Sequence, residues 1–277
     1  MIDFMLIVLN GEPWINAWLK TYEPYANNIH IIEGTDSEMF HNVPADIRKL
    51  YHTEDGHSID NTLEIIKTYN TNKIKLYTTN PKTGNGLWHS KHQMIAQIND
   101  KVEAEWLWEA DSDEFVHDEH IKEIIKILKD HKEHAVWQFN VYNFWKSTTH
   151  ILKGGWVSPY RRIFRWKPGK TRWTTHRPPT TNNDAPPKTI PYPLYHYNYI
   201  LEKDAKYKPL YHRGYGKQWF EQKWKAWTPQ NKEQIEQHSI GPASWGHTRT
   251  KHIPDVNHPV HVKPILKQLI REDKIIP

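Results

Sequence analysis

The chain contains no cysteine. Disulfides, thiolate nucleophiles, iron–sulfur clusters and sulfur-ligated zinc are therefore excluded. Long apolar runs are missing too. The run from Phe4 to Leu9 in "MIDFMLIVLNGEPW" is too short to span a bilayer, and it lacks the basic lead-in and cleavage site of a secretion signal. A buried first strand is the expected structure, with no membrane span. Apolar residues amount to only 37%, yet 14 Trp and 14 Tyr supply burial that aliphatics usually provide. At 277 residues the chain is long enough for one large domain, or for one domain with a C-terminal extension. Acid is in slight deficit: 37 Lys and Arg against 32 Asp and Glu give a net charge of +5, with 19 His in reserve. An anionic partner fits this balance, whether a nucleotide diphosphate, a nucleic acid or an anionic glycan.

Strand-like and helix-like segments alternate through the first half, as in α/β proteins. After the first strand, Trp14, Ile15, Trp18 and Leu19 fall at helical spacing, and Ile29 to Ile32 make a second strand ending in Glu33. An irregular stretch from Ser37 to Ser58 precedes the helix of "DNTLEIIKTY". "KIKLYTTN" is a third strand, "GNGLWHSKHQMIAQIND" a loop entering a helix, and "EAEWLWEADSDEF" a fourth strand. "EHIKEIIKILKDHKEH" carries Ile121, Ile124, Ile125 and Leu128 on one stripe. "AVWQFNVYNFW" is strand-like, and the remainder is aromatic-rich and irregular, with no internal repeat. His176 to Pro193 is expected to be a long loop because its prolines cannot serve a central strand. A short helix is expected in "VKPILKQLIREDKIIP".

"WLWEADSDEF" places four acids in ten residues at the end of a strand. Ligands of open α/β sheets bind beyond the carboxyl ends of strands. In an extended segment Asp111 and Asp113 would share one side, and two hard oxygen ligands there suit Mn²⁺ or Mg²⁺. The bland counterpart is a solvated acidic turn. A calcium loop is disfavoured because Phe115 and the missing Gly do not continue the pattern. An aspartyl phosphatase would place such a pair after its first strand, which here ends in Asn10, Gly11 and Glu12.

The order of these features resembles glycosyltransferases of the GT-A fold, especially family 2, over roughly residues 4 to 200. The resemblance rests on "LNGEPW", "IIEGTD", "DNTLEIIKTY", "GLWHSKHQMIAQ" and "WEADSDEF". It implies a Rossmann-like mixed sheet flanked by helices. The GT-A domain would span 1–200, with its nucleotide-binding half at about 1–115 and its acceptor half at 116–200, and 201–277 would form a helical and loop extension packed on it. It also implies a metal-dependent transfer of a hexosyl or pentosyl group from a nucleotide diphosphate sugar, a UDP-sugar first, to an acceptor hydroxyl. Asn10, Gly11, Glu12, Glu33, Lys91 and Asp111 would face the nucleotide sugar, although His92 stands where an Asn is common. Asp111, Asp113 and His196 would hold the metal, His212 being the second choice for the histidine. "PYRRIFRWKPGKTRWTTH" would build the acceptor side with Arg162, Arg165 and Trp173. His176 and Asp184 are the candidates for the catalytic base, since Arg177 replaces the acid usual after such a histidine.

Trp and Tyr interleaved with Lys, Arg and His between Trp137 and Trp245 suit sugar rings and bases alike. A glycan or small-molecule acceptor is the first expectation. A virus-type enzyme glucosylating hydroxymethylated DNA bases is the rival. A different class also stays open: a nucleotide- or carbohydrate-binding module without turnover, or a metal-dependent phosphohydrolase. The expected location is the cytoplasm of a bacterium or a virus-infected cell.

Overall fold

The computed structural model describes residues 1–37, 48–69, 71–78, 87–153, 159–174, 178–179, 181, 185–211, 217–238, 240 and 249–277. The chain divides into two compact units, one of residues 1–139 and 160–192, the other of 140–159 and 193–277. Strands β6 (Val136–Trp145) and β9 (Lys188–Tyr199) each begin in the first unit and end in the second.

In the first unit β1 (Ile2–Val8) lies between β2 (Ile29–Glu33) and β4 (Trp106–Glu109), parallel to both, and β3 (Ile74–Tyr77) adds to β2. β8 (Tyr160–Arg165) runs antiparallel beside β4, and the first residues of β6 pair with β8. The chain builds outward from β1 through β2 and β3, then returns to place β4 on β1's other side. That reversal is a topological switch point, where open α/β sheets take their ligands at the strands' carboxyl ends.

β1 is buried along almost its whole length, as expected of a strand covered on both faces. Its Phe4 packs 5.4 Å from the ring of Trp108 in β4, which also meets Tyr22 of α1 (Ile15–Tyr22) at 5.6 Å and Phe139 at 5.3 Å. A buried aromatic of this kind contributes about 3–5 kcal/mol against alanine, so rings stand in for the missing aliphatics. Asp3 anchors the opposite end of the sheet, with Oδ1 accepting from the Asn28 amide at 2.9 Å and Oδ2 from the Glu103 amide at 2.8 Å. Burial opposes its charge, but His30, Asn27 and the amides of Glu103 and Ala104 outweigh it and hold the carboxyl below its ordinary range. The flanking helices include α2 (Thr62–Thr68), α3 (Lys91–Ala96) and α4 (Asp118–Asp130). α4 buries Ile121, Ile124 and Leu128 while Lys122, Glu123 and Lys126 face out, as the stripe predicts.

In the second unit β7 (His150–Lys153) pairs antiparallel with β10 (Arg249–His252), and Phe144 of β6 pairs with Ile151. Its core joins Trp145 and Tyr199 to Phe220, Trp224, Trp227 and Ile240. Phe144 stacks on Tyr197 at 4.8 Å, and the Tyr197 hydroxyl and His258 Nδ1 are 2.8 Å apart. Two further helices, α5 (Glu202–Tyr211) and α6 (Lys263–Arg271), belong to this unit, α6 where the sequence predicts it.

The long loop expected from His176 to Pro193 is shorter than predicted, because β9 takes up Lys188 to Pro193. Pro191 and Pro193 stand two apart, so both missing N–H groups fall on the same edge of the strand and the other edge keeps its donors.

Candidate functional site

β4 ends at Glu109, and the acids beyond it do not continue as a strand. Residues 111–114 close a turn in which the Glu114 amide donates to the Asp111 carbonyl at 3.0 Å. β5 (Glu114–Phe115) follows at once. The expected strand alternation therefore does not bring Asp111 and Asp113 together; the turn does, setting a carboxylate oxygen of each within 4.8 Å of the other.

Arg162 of β8 reaches into this turn. Its Nε and Nη2 donate to Glu114 at 2.9 and 2.6 Å, Nη2 also donates to Asp111 Oδ2 at 2.8 Å, and Nη1 lies 3.6 Å from Glu109. The antiparallel register of β8 on β4 sets Ile163 opposite Trp108, which brings Arg162 to the acid end of β4. Glu114 is fully buried and the Arg162 side chain is 14% exposed, so this fork replaces water around the carboxylate. Burial raises the Glu109 carboxyl, Asp111 raises it further, and the charges of Arg162 and Lys91 oppose the rise. Lys91, the first residue of α3, is thus close enough for its charge to act on the cluster. Two adjacent hard carboxylates are a donor set that fits Mn²⁺ or Mg²⁺.

At the carboxyl ends of β1 and β2 residues 51–62 fold over the strands. Asn10 holds a positive φ of 57°, its amide donating to Ser58 Oγ and its Oδ1 accepting from the Ile59 amide, each at 2.9 Å. The Gly11 amide donates to Thr62 Oγ1 at 2.7 Å, Glu12 accepts from the Asn61 amide at 3.0 Å, and the Glu12 amide donates to Asp60 at 3.0 Å. Glu33 is wholly buried: Oε1 accepts from the Ser58 amide and Oε2 from His57 Nδ1, both at 2.7 Å. Its bond to His57, with lesser attraction from Asp55, raises the imidazole above its ordinary pKa against the effects of burial and of Lys67.

The structure thus gathers Asn10, Gly11, Glu12 and Glu33 around the 51–62 loop, and the charge of Lys91 reaches Glu109 at the end of β4. Arg165 lies at the far end of β4, opposite Trp106, where it donates to Glu105 at 2.8 Å. Trp173 is only 2% exposed, packed between Phe164 and Trp166, so its ring has no open face for an acceptor. His196 belongs to the second unit, where its Nδ1 lies 2.8 Å from Asn143 Oδ1. His176, Asp184 and His212 lie outside the described residues. Sequence reasoning missed the fork of Arg162 on Glu114 and the pairing of His57 with Glu33. The first was signalled by the adjacent arginines of "YRRIF"; the second had no periodic signal.

Comparison with known proteins places this geometry in a family. The profile of glycosyl transferase family 2 matches residues 53–196, a little over half of the sequence. The chain belongs to that family and has the GT-A fold of a mixed sheet flanked by helices. No curated protein matches it. Among solved structures, S. aureus TarS 1–349 is 12% identical with a TM-score of 0.36, covering 59% of this chain and 46% of that one. Glucosyl-3-phosphoglycerate synthase from Mycobacterium tuberculosis, with Mn²⁺, UDP-glucose and phosphoglyceric acid, is 12% identical with a TM-score of 0.34, covering 52% and 43%. The chain therefore spans less than half the length of either neighbour. Among the described residues no helix is long and apolar enough to cross a membrane.

Proposed function

We propose that the chain transfers a hexosyl or pentosyl group from a nucleotide diphosphate sugar, with UDP-sugars the first donors to test, to a hydroxyl of a glycan or small molecule. The observation that carries this reading is the paired carboxylates of Asp111 and Asp113 at the switch point of a family 2 sheet. Asp111 and Asp113, with His196 as the third ligand that the sequence resemblance implies, would hold Mn²⁺ or Mg²⁺. Such a cation neutralises charge on a leaving diphosphate. The chain's own groups do the rest. Arg162 holds the Asp111 carboxylate in place through Oδ2, Lys91 draws the diphosphate to the turn, and the loop bound to Asn10 and Glu12 receives the nucleoside. A base, His176 or Asp184 as the sequence suggests, would take the proton of the acceptor hydroxyl as the glycosidic bond to C1 forms and the C1–O bond to the diphosphate breaks, the nucleoside diphosphate leaving.

Purified protein with Mn²⁺ and a panel of UDP-, GDP- and TDP-sugars tests this reading. Slow donor hydrolysis is expected, with loss of about 10²-fold or more in Asp113→Ala, the range seen when one preorganised electrostatic group is removed. No donor turnover or binding by wild type, or an unchanged Asp113→Ala, overturns it. Phosphate release from simple esters would instead point to a phosphohydrolase, and a mass shift in hydroxymethylated duplex DNA to a DNA acceptor.

A further inference from the structure

The acid that ends β2 cannot itself meet a nucleoside. Glu33 has no exposed surface, and each of its oxygens already accepts a bond at 2.7 Å from the 51–62 loop. A side chain of that loop lies over it instead. The His57 ring is 17% exposed, its Nδ1 is fixed by Glu33, and its Nε2 makes no hydrogen bond among the described residues. Asp55 Oδ2 stands 3.7 Å from Nε2, beyond hydrogen-bond length, and Asp55 is bonded to Thr53. The backbone around His57 is pinned on both sides, the Gly56 carbonyl accepting from the Thr35 amide at 2.8 Å and the Ser58 amide donating to Glu33 at 2.7 Å. Gly56 itself has φ 87°, which side chains rarely adopt, and a Cβ there would come within 2.3 Å of Leu87 Cδ2, so this position favours glycine.

We propose that His57 is the residue that contacts the base of the nucleotide, through Nε2, and that Glu33 is the positioning residue that holds its ring. This rests on the nucleotide-sugar reading of the site. With Nδ1 donating to Glu33, a neutral ring has an acceptor at Nε2. It therefore selects a base whose edge carries a ring N–H, as uracil, thymine and guanine do, over cytosine and adenine, whose ring nitrogen at that edge is an acceptor. Protonation turns Nε2 into a donor and removes the preference. Glu33 and Asp55 favour the protonated ring, and Lys67 opposes it.

Titration calorimetry of the full chain with UDP, GDP, CDP and ADP, with Mn²⁺ present, decides the matter. At pH 8.5 UDP or GDP is expected to bind about tenfold tighter than CDP and ADP, the worth of one hydrogen bond to a strongly polar group. His57→Asn keeps a donor toward Glu33 but lacks Nε2, and it should bind all four alike while melting as wild type does. Glu33→Gln should move the pH at which the preference disappears downward, because the neutral amide no longer favours the imidazolium; a purely structural carboxylate would leave that pH unmoved. Unchanged selectivity in His57→Asn, or a wild type that binds all four alike, overturns the proposal. If wild type binds none of the four, the nucleotide-sugar reading fails as well.

Discussion

Arg162 shows how an expected ligand contact becomes a structural one. Its guanidinium joins Glu114, Asp111 and Glu109 over the ring of Tyr160, 5.2 Å away. Removing one partner of a buried ion pair leaves an uncompensated charge, so Arg162→Met should lower stability by about 3 kcal/mol, seen as a drop in the first thermal transition. Arg162→Lys, which keeps the charge without the fork, should fall between the two. In the second unit His150 is 5% exposed, close to Ser147, Trp227 and His252. Burial, with the charges of His252 and Lys232, holds its pKa down to about 4, although Glu236 pulls the other way. The unfolded chain takes up that proton near pH 6.5. Stability from this site is thus complete above about pH 6.5 and falls by about 3 kcal/mol as the pH drops toward 4. His150→Gln should flatten that part of a pH-dependent denaturation series. Asp111 and Asp113 were legible as a pair because a strand and two hard ligands can be read in sequence. Their neighbours Arg162 and Glu114 meet through the register of β8 on β4, which depends on residues 48 or more positions apart.

At the scale of elements, the alternation of strands and helices through α4 was readable because apolar period and length distinguish the two. The exceptions have local causes. The acid segment turns at Asp111 where a strand was expected to continue, and β9 accepts two prolines on one edge. Loop 51–62 carries no repeat for a pattern to reveal; it is fixed by bonds to Asn10, Glu12 and Glu33, none of which sequence spacing announces. Gly11, between β1 and α1, is a sharper case. A Cβ there would lie 2.7 Å from Val8 Cγ2 and 3.2 Å from Ile15 Cβ. Gly11→Ala should therefore cost about 1–3 kcal/mol by overpacking and pull the amide from Thr62, lowering the melting temperature and UDP affinity together.

Over the whole molecule, aromatic residues do the work of a larger aliphatic core. In the second unit Trp145 and Tyr199 pack against Phe220, Trp224 and Trp227, which come from beyond residue 200. A chain ending at residue 200 should expose that face, binding a hydrophobic dye strongly and losing near-ultraviolet circular dichroism; a monomeric, dye-silent fragment would contradict this. The same connectivity bears on descent and engineering. Because β6 and β9 each start in one unit and finish in the other, the second unit is assembled from two separate stretches of gene. A single crossover between related genes cannot transplant it whole. Exchanging residues 193–277 alone would import that unit without residues 140–159, which carry β7 and the end of β6. Carrying both stretches together needs junctions between residues 139 and 140, 159 and 160, and 192 and 193, each within or beside a strand.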